Sequence, residues 1–182
     1  MNWHILVLPR VVLIIVLATA AMLLGQVSMT EIARIVDQLQ RAYDGDAWHG
    51  PALRRILADV TASQAAFRPA PDVHSIWELT GHVIAWQRIV VRRLAGEAVD
   101  LVSENENFPT IGEPTAEHWA NQLESLADSH RELIHAISAL NDSRLDEPAA
   151  GQKYSIYVML HGVVQHNLYH AGQMALLKRL QA

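Results

Sequence analysis

The chain has 182 residues, 51% of them apolar, and a net charge of −5 from 14 basic and 19 acidic side chains. That length suits one domain with a terminal extension, and the acidic balance argues against a nucleic-acid footprint. Cysteine is absent, which excludes disulfides, thiolate ligands and a cysteine nucleophile, so any bound metal must take nitrogen or oxygen.

Residues 1–28 differ from the rest. No charge occurs from Val11 to Met29, and Val11 to Leu17 is a strongly apolar run behind Arg10. Three readings compete. The run can be the h-region of a secretory signal, with Ala18-Thr-Ala20 as its cleavage site. It can be a membrane anchor, although Pro9 and Arg10 leave it barely long enough. The preferred reading makes residues 1–28 an upstream extension and Met29 the functional start, with residues 29–182 a cytoplasmic helical domain; anchoring or export is the alternative.

Beyond Met29 the apolar spacing is helical, and no run alternates long enough for a strand. A first helix is expected from Thr30 to about Tyr43, with Ile32, Ile35, Val36 and Leu39 on one face. After Asp44-Gly-Asp, Gly50-Pro51 opens a second helical piece through Leu53, Ile56, Leu57 and Val60. Phe67 to Pro71 is an extended linker. Ser75-Ile-Trp-Glu78 is a capping box, and the long helix that it starts runs to about Ala95 and stops at Gly96. Glu97 to Pro114 is a polar loop, long enough to act as a lid or a crossing connection. A third long helix spans about Thr115 to Leu140, and Ser155 caps a last one that reaches Leu180. Four long helices with apolar seams make an all-α four-helix bundle, whose sites are built from facing helices.

Two seams carry polar interruptions. The last helix presents Met159, Val163, His166, His170, Gln173 and Leu177 on one stripe. An earlier stripe reads Leu79, His82, Trp86, Ile89. Buried polar groups cost free energy unless satisfied, and imidazoles four residues apart share a helix face and can grip one ion. His82, His166 and His170 are therefore the candidate metal ligands, and no plausible carboxylate partner shares their seams. Three nitrogen ligands with an open fourth position describe a catalytic site, and a divalent ion, zinc or nickel, suits imidazole. A lone histidine on an apolar stripe is more often a hydrogen-bonded core residue, so the argument rests on all three.

Other residues carry weaker assignments. Gln173 can orient a ligand or substrate, and Glu78 can serve as a base, although the capping box already accounts for it. These two are the candidate catalytic residues. His49 is read as capping or packing, and His161 as structural or exposed. Tyr169 is assigned to the core or a subunit interface. Trp48, Trp77, Trp86 and Trp119 are read as core anchors, with Trp86 able to line the pocket.

Three segments carry a resemblance: Ala47-Trp-His-Gly-Pro51, His74-Ser-Ile-Trp-Glu-Leu-Thr-Gly-His82 with Trp86, and His166-Asn-Leu-Tyr-His-Ala-Gly-Gln173. Together they make the chain from Met29 onward resemble the DinB-like superfamily, also called the YfiT-like metal-dependent hydrolases. The resemblance implies a four-helix bundle, often a homodimer, holding a divalent metal through one histidine of the second helix and two of the last. Carried over by position, these are His82, His166 and His170. It also implies a small-molecule substrate, with some members resembling transferases that use a low-molecular-weight thiol. Two functions are thus expected, metal-dependent hydrolysis and thiol transfer, with a slight preference for the second. The competing class is a non-enzymatic, stress-related metal-binding module.

Overall fold

The computed structural model describes residues 29–181, and the apolar run with its possible cleavage site lies outside the described residues. Four long helices dominate: α1 (Glu31–Asp44), α4 (Ile76–Leu94), α6 (Ala116–Ser138) and α7 (Ile156–Arg179). Between them lie short helices α2 (Leu53–Leu57), α3 (Ala62–Ala66) and α5 (Glu104–Asn107), and a 3-10 turn spans Asp142–Arg144. No strand occurs among the described residues.

Helix α4 packs against α6 and α7, and α1 packs against the same two from the other side. Residue pairings give the directions. His82 meets His166 while Arg93 meets Tyr154, so α4 and α7 run antiparallel. Trp77 meets Trp119 while Gln87 meets Ser129, so α4 and α6 run parallel. Parallel neighbours cannot be joined by a tight turn. Residues 95–115 are therefore a crossing connection, one of the two roles expected for that loop.

The termini of the helices follow local chemistry. Ser75 Oγ accepts from Glu78 N at 3.2 Å, and Glu78 Oε2 accepts from Ser75 N at 2.8 Å. Helix α1 is capped from a distance: Asp142 accepts from the backbone N–H of Glu31 and Ile32 at 2.8 and 3.0 Å. A carboxylate at a helix N-terminus satisfies orphan donors and meets the positive end of the dipole.

Two expectations need correction. The helical piece after Gly50-Pro51 ends at Leu57, and Thr61 opens a separate helix with its own capping box to Gln64. Thr61 hydrogen-bonds the backbone better as a cap than inside a helix, so it punctuates the segment. Trp48 is not a core anchor: its side chain is fully exposed, because the turn after Asp44 carries it away from the bundle. Trp77 and Trp119 are buried as expected, and the Trp119 indole N–H donates to Val60 O at 2.7 Å. Tyr169 is exposed, which removes it from the core of this chain.

The apolar interior falls into two clusters. One gathers α2, α3, the first halves of α4 and α6 and the end of α7, including Ile76, Val83, Leu126 and Met174. The other gathers α1, the ends of α4 and α6 and the start of α7, including Leu39, Val90, Leu133, Ile137 and Leu160. Truncating a fully buried Leu133 to Ala would cost about 2–5 kcal/mol. Along α7, Val163 belongs to one cluster and Ala171 to the other. His166, Asn167 and His170 occupy the gap between them.

Candidate metal centre

His82 projects from the middle of α4, and His166 and His170 from successive turns of α7. One ring nitrogen from each lies within 4.8 Å of the others. The Nε2 atoms of His82 and His166 are 3.0 Å apart. The rings sit at 4.5 to 4.9 Å between centroids, so the three imidazoles form one cluster.

Hydrogen bonds orient the nitrogens. His82 Nδ1 lies 2.7 Å from the carbonyl oxygen of Asn107. A carbonyl only accepts, so Nδ1 carries the proton and Nε2 keeps its lone pair. His170 Nδ1 lies 2.6 Å from Gln173 Oε1 and donates to it, which leaves its Nε2 free in the same way. Gln173 therefore sits beside a candidate ligand and sets its tautomer. His166 differs: its Nδ1 is buried without a partner, as is Oδ1 of the adjacent Asn167. Buried polar atoms without partners are rare and mark a place where something is missing.

All three rings are held neutral. Burial pushes His166 down to about 3, helped by the neighbouring His170 and His82. Burial also lowers His82 against the pull of the Asn107 carbonyl, and lowers His170 against that of Gln173. A neutral imidazole with a free lone pair is the state that binds a metal. No carboxylate belongs to the group. The residues fit a divalent cation with nitrogen preference.

The crossing connection roofs this cluster. Phe108 stacks on His82 at 4.2 Å and on His74 at 3.8 Å. The Trp86 indole N–H donates to Asn107 Oδ1 at 2.9 Å, so Asn107 holds both His82 and Trp86. Arg92 pairs with Glu106 and Glu97 at 2.5 Å each, which ties the loop to α4. The sequence signal for Asn107 and Phe108 was nil: they lie 25 and 26 residues from His82 in a polar loop.

Glu78 is placed differently from the imidazoles. Its carboxylate pairs with Arg68 and accepts from Ser75 N. Burial alone would raise its pKa, but the Ser75 hydrogen bonds and Arg68 overcome that and hold it below the usual carboxylate range. Every strong partner it has belongs to the capping box or the preceding linker. His161 pairs with Glu31 at 3.2 Å, and His49 lines a surface depression with Trp48 and Arg41.

Fold and site define a helical bundle with a largely buried three-histidine cluster whose ring nitrogens converge. The family comparison gives that class its name: the model of the DinB superfamily matches residues 46–174, and the chain belongs to this superfamily. No curated protein and no solved structure matches the chain.

Proposed function

We propose that His82, His166 and His170 hold a divalent metal ion, zinc or nickel, and that the protein is a metal-dependent enzyme acting on a small molecule. The observation that carries this is the convergence of three neutral imidazoles, from two helices, with no carboxylate among them. Such an ion supplies a Lewis acid that stabilises a thiolate or lowers the pKa of a water. The chain's own residues orient the site: Asn107 and Gln173 fix two tautomers, while Phe108 and Trp86 shield it from solvent.

Thiol transfer is favoured over hydrolysis by the placement of Glu78. Hydrolysis wants a general base within reach of the attacking water, and this carboxylate is engaged by Arg68 and Ser75. In the transfer, sulfur bonds to an electrophilic carbon, the leaving group departs with its electron pair, and the thiol proton passes to solvent. Gln173 is then a positioning residue and Glu78 a helix cap.

Homodimerisation is part of the proposal. Tyr169, Leu176 and Leu180 are exposed on α7 at spacings of seven and four residues, an apolar stripe suited to a second copy. No helix among the described residues is long and apolar enough to cross a membrane.

Elemental analysis of the purified chain tests the centre, with about one metal per chain expected. A thermal-shift screen with bacillithiol, mycothiol and glutathione tests the cosubstrate, because a ligand of the folded state raises the melting temperature. Absence of metal after growth in zinc- and nickel-supplemented medium would overturn the enzyme reading.

A further inference from the structure

A cavity of about 260 Å³ lies between α4 and α7, with His166 in its lining. It is small for a ligand pocket. Trp86, Val90, Met159 and Val163 give it apolar walls, and Arg93 and Tyr154 line it as well. Gly162 lines it too, and a Cβ there would meet nothing within 4 Å, so a larger side chain has empty space to enter.

Arg93 is the unexplained member. It is only 6% exposed, and no carboxylate pairs with it among the described residues. Its Nη1 donates to the Tyr154 hydroxyl at 2.8 Å and its Nη2 to Val99 O at 2.7 Å. Its Nε is buried with no partner at all. The bonds to Val99 O and Tyr154 clamp the crossing connection and the segment before α7 to α4, and the Trp86 ring lies 5.9 Å from the guanidinium carbon. None of these partners carries a negative charge, so the buried cation keeps a desolvation cost that an anion would offset. The Tyr154 hydroxyl accepts from Arg93 and keeps its own proton to donate.

We infer that this slot binds a small molecule with an apolar body and a single carboxylate, held by Arg93 and the Tyr154 hydroxyl, with its far end at the histidine cluster. One positive charge matches one negative charge, so a monocarboxylate fits better than a phosphate dianion, and a guanidinium edge complements a carboxylate. Trp86 bounds the length. Its ring lies 5.9 Å from the Arg93 guanidinium carbon and 5.8 Å from the His166 ring, so those two are at most about 12 Å apart. A guanidinium–carboxylate pair takes up about 4 Å of this. At most roughly 8 Å remains, which limits the body to about six carbons. The far end of this assignment rests on the metal-centre reading; the carboxylate end does not.

Hexanoate, hexan-1-ol and 6-sulfanylhexanoate are the probes, titrated calorimetrically into the full chain in metal-loaded and chelator-treated forms. Hexanoate is expected to bind both forms at least about ten-fold more tightly than the alcohol, the worth of one charge-assisted hydrogen bond. Arg93→Gln should abolish that preference, and Tyr154→Phe should reduce it about three-fold. Gly162→Leu should block all three probes. Equal affinity for hexanoate and hexan-1-ol in the wild-type chain overturns the proposal, as does a preference that survives in folded Arg93→Gln. Should Arg93→Gln not fold, undiminished hexanoate binding by Gly162→Leu, or an unchanged preference in Tyr154→Phe, overturns it instead. The thiol of 6-sulfanylhexanoate should add affinity in the loaded form alone. If it adds none while hexanoate still outbinds the alcohol, the carboxylate site stands and the metal-centre reading is what fails.

Discussion

His82 on α4 donates its Nδ1 proton to the backbone carbonyl of Asn107, 25 residues further along the chain and 2.7 Å away. The crossing connection that lets α4 and α6 run parallel is thus also the support of a candidate ligand. Phe108 stacking on the same imidazole reinforces it.

Phe108→Ala should therefore weaken zinc binding without abolishing it, whereas Asn107→Ala keeps the backbone carbonyl that holds His82, loses only the acceptor of the Trp86 N–H, and should change affinity less. Loss of an outer support of a ligating histidine typically lowers affinity 10- to 100-fold. Competition with a chromogenic chelator measures this. Affinity unchanged in Phe108→Ala would mean that the stacked ring is a bystander.

His166→Leu should separate binding from stability. Its imidazole is buried with an unpartnered Nδ1, so an apolar replacement of similar size removes an unsatisfied polar group. In chelator-treated protein this relief is opposed by the loss of the Nε2 contact to His82, so stability should change by no more than about 1 kcal/mol in either direction, while the metal content of untreated protein falls to zero. Urea denaturation with and without metal gives both values. A large loss of stability in the metal-free form would point to a structural role for the ring.

Glu78→Gln should leave metal content intact and cost on the order of 1 kcal/mol in stability, because it weakens a cap and a partner of Arg68. The carboxyl is held below its ordinary range when folded, so its contribution is present above the unfolded pKa and is lost as pH falls. The wild-type advantage over the variant should then shrink on acidification. Metal loss in Glu78→Gln would restore the case for a direct role at the cluster.

His130 supplies a second pH effect, away from the cluster. It stacks on Tyr43 at 4.0 Å between α6 and α1, and burial pushes it down to about 4 against the pull of Asp44. The unfolded value is about 6.5. Between these the unfolded chain binds the extra proton, so stability falls as pH drops from about 6.5 toward 4. At pH 5 the loss from this group is roughly 2 kcal/mol relative to pH 7. His130→Phe should remove that component, read as the difference in urea midpoints between pH 7 and pH 5 in chelator-treated protein. Identical pH slopes in variant and wild type would contradict it.

Periodicity and caps made much of this molecule legible. Ser75 with Glu78, Thr115 and Ser155 mark helix starts that the structure repeats within a residue. Errors arose where the segments were short: α2 and α3 hold five residues each, too few for a pattern to override a capping threonine. Trp48 was misplaced because an isolated tryptophan in a turn has no face to assign.

The one-dimensional order of residues was enough to put His82, His166 and His170 on inward seams, because helical spacing is a local property that side-chain polarity then interrupts. It could not bring Asn107 to His82, Phe108 to His74, Asp142 to the start of α1, or Arg93 to Tyr154. Those pairs are separated by tens of residues, and only the packing of antiparallel and parallel helices, with the loop that parallel packing demands, determines which distant groups share a dry space.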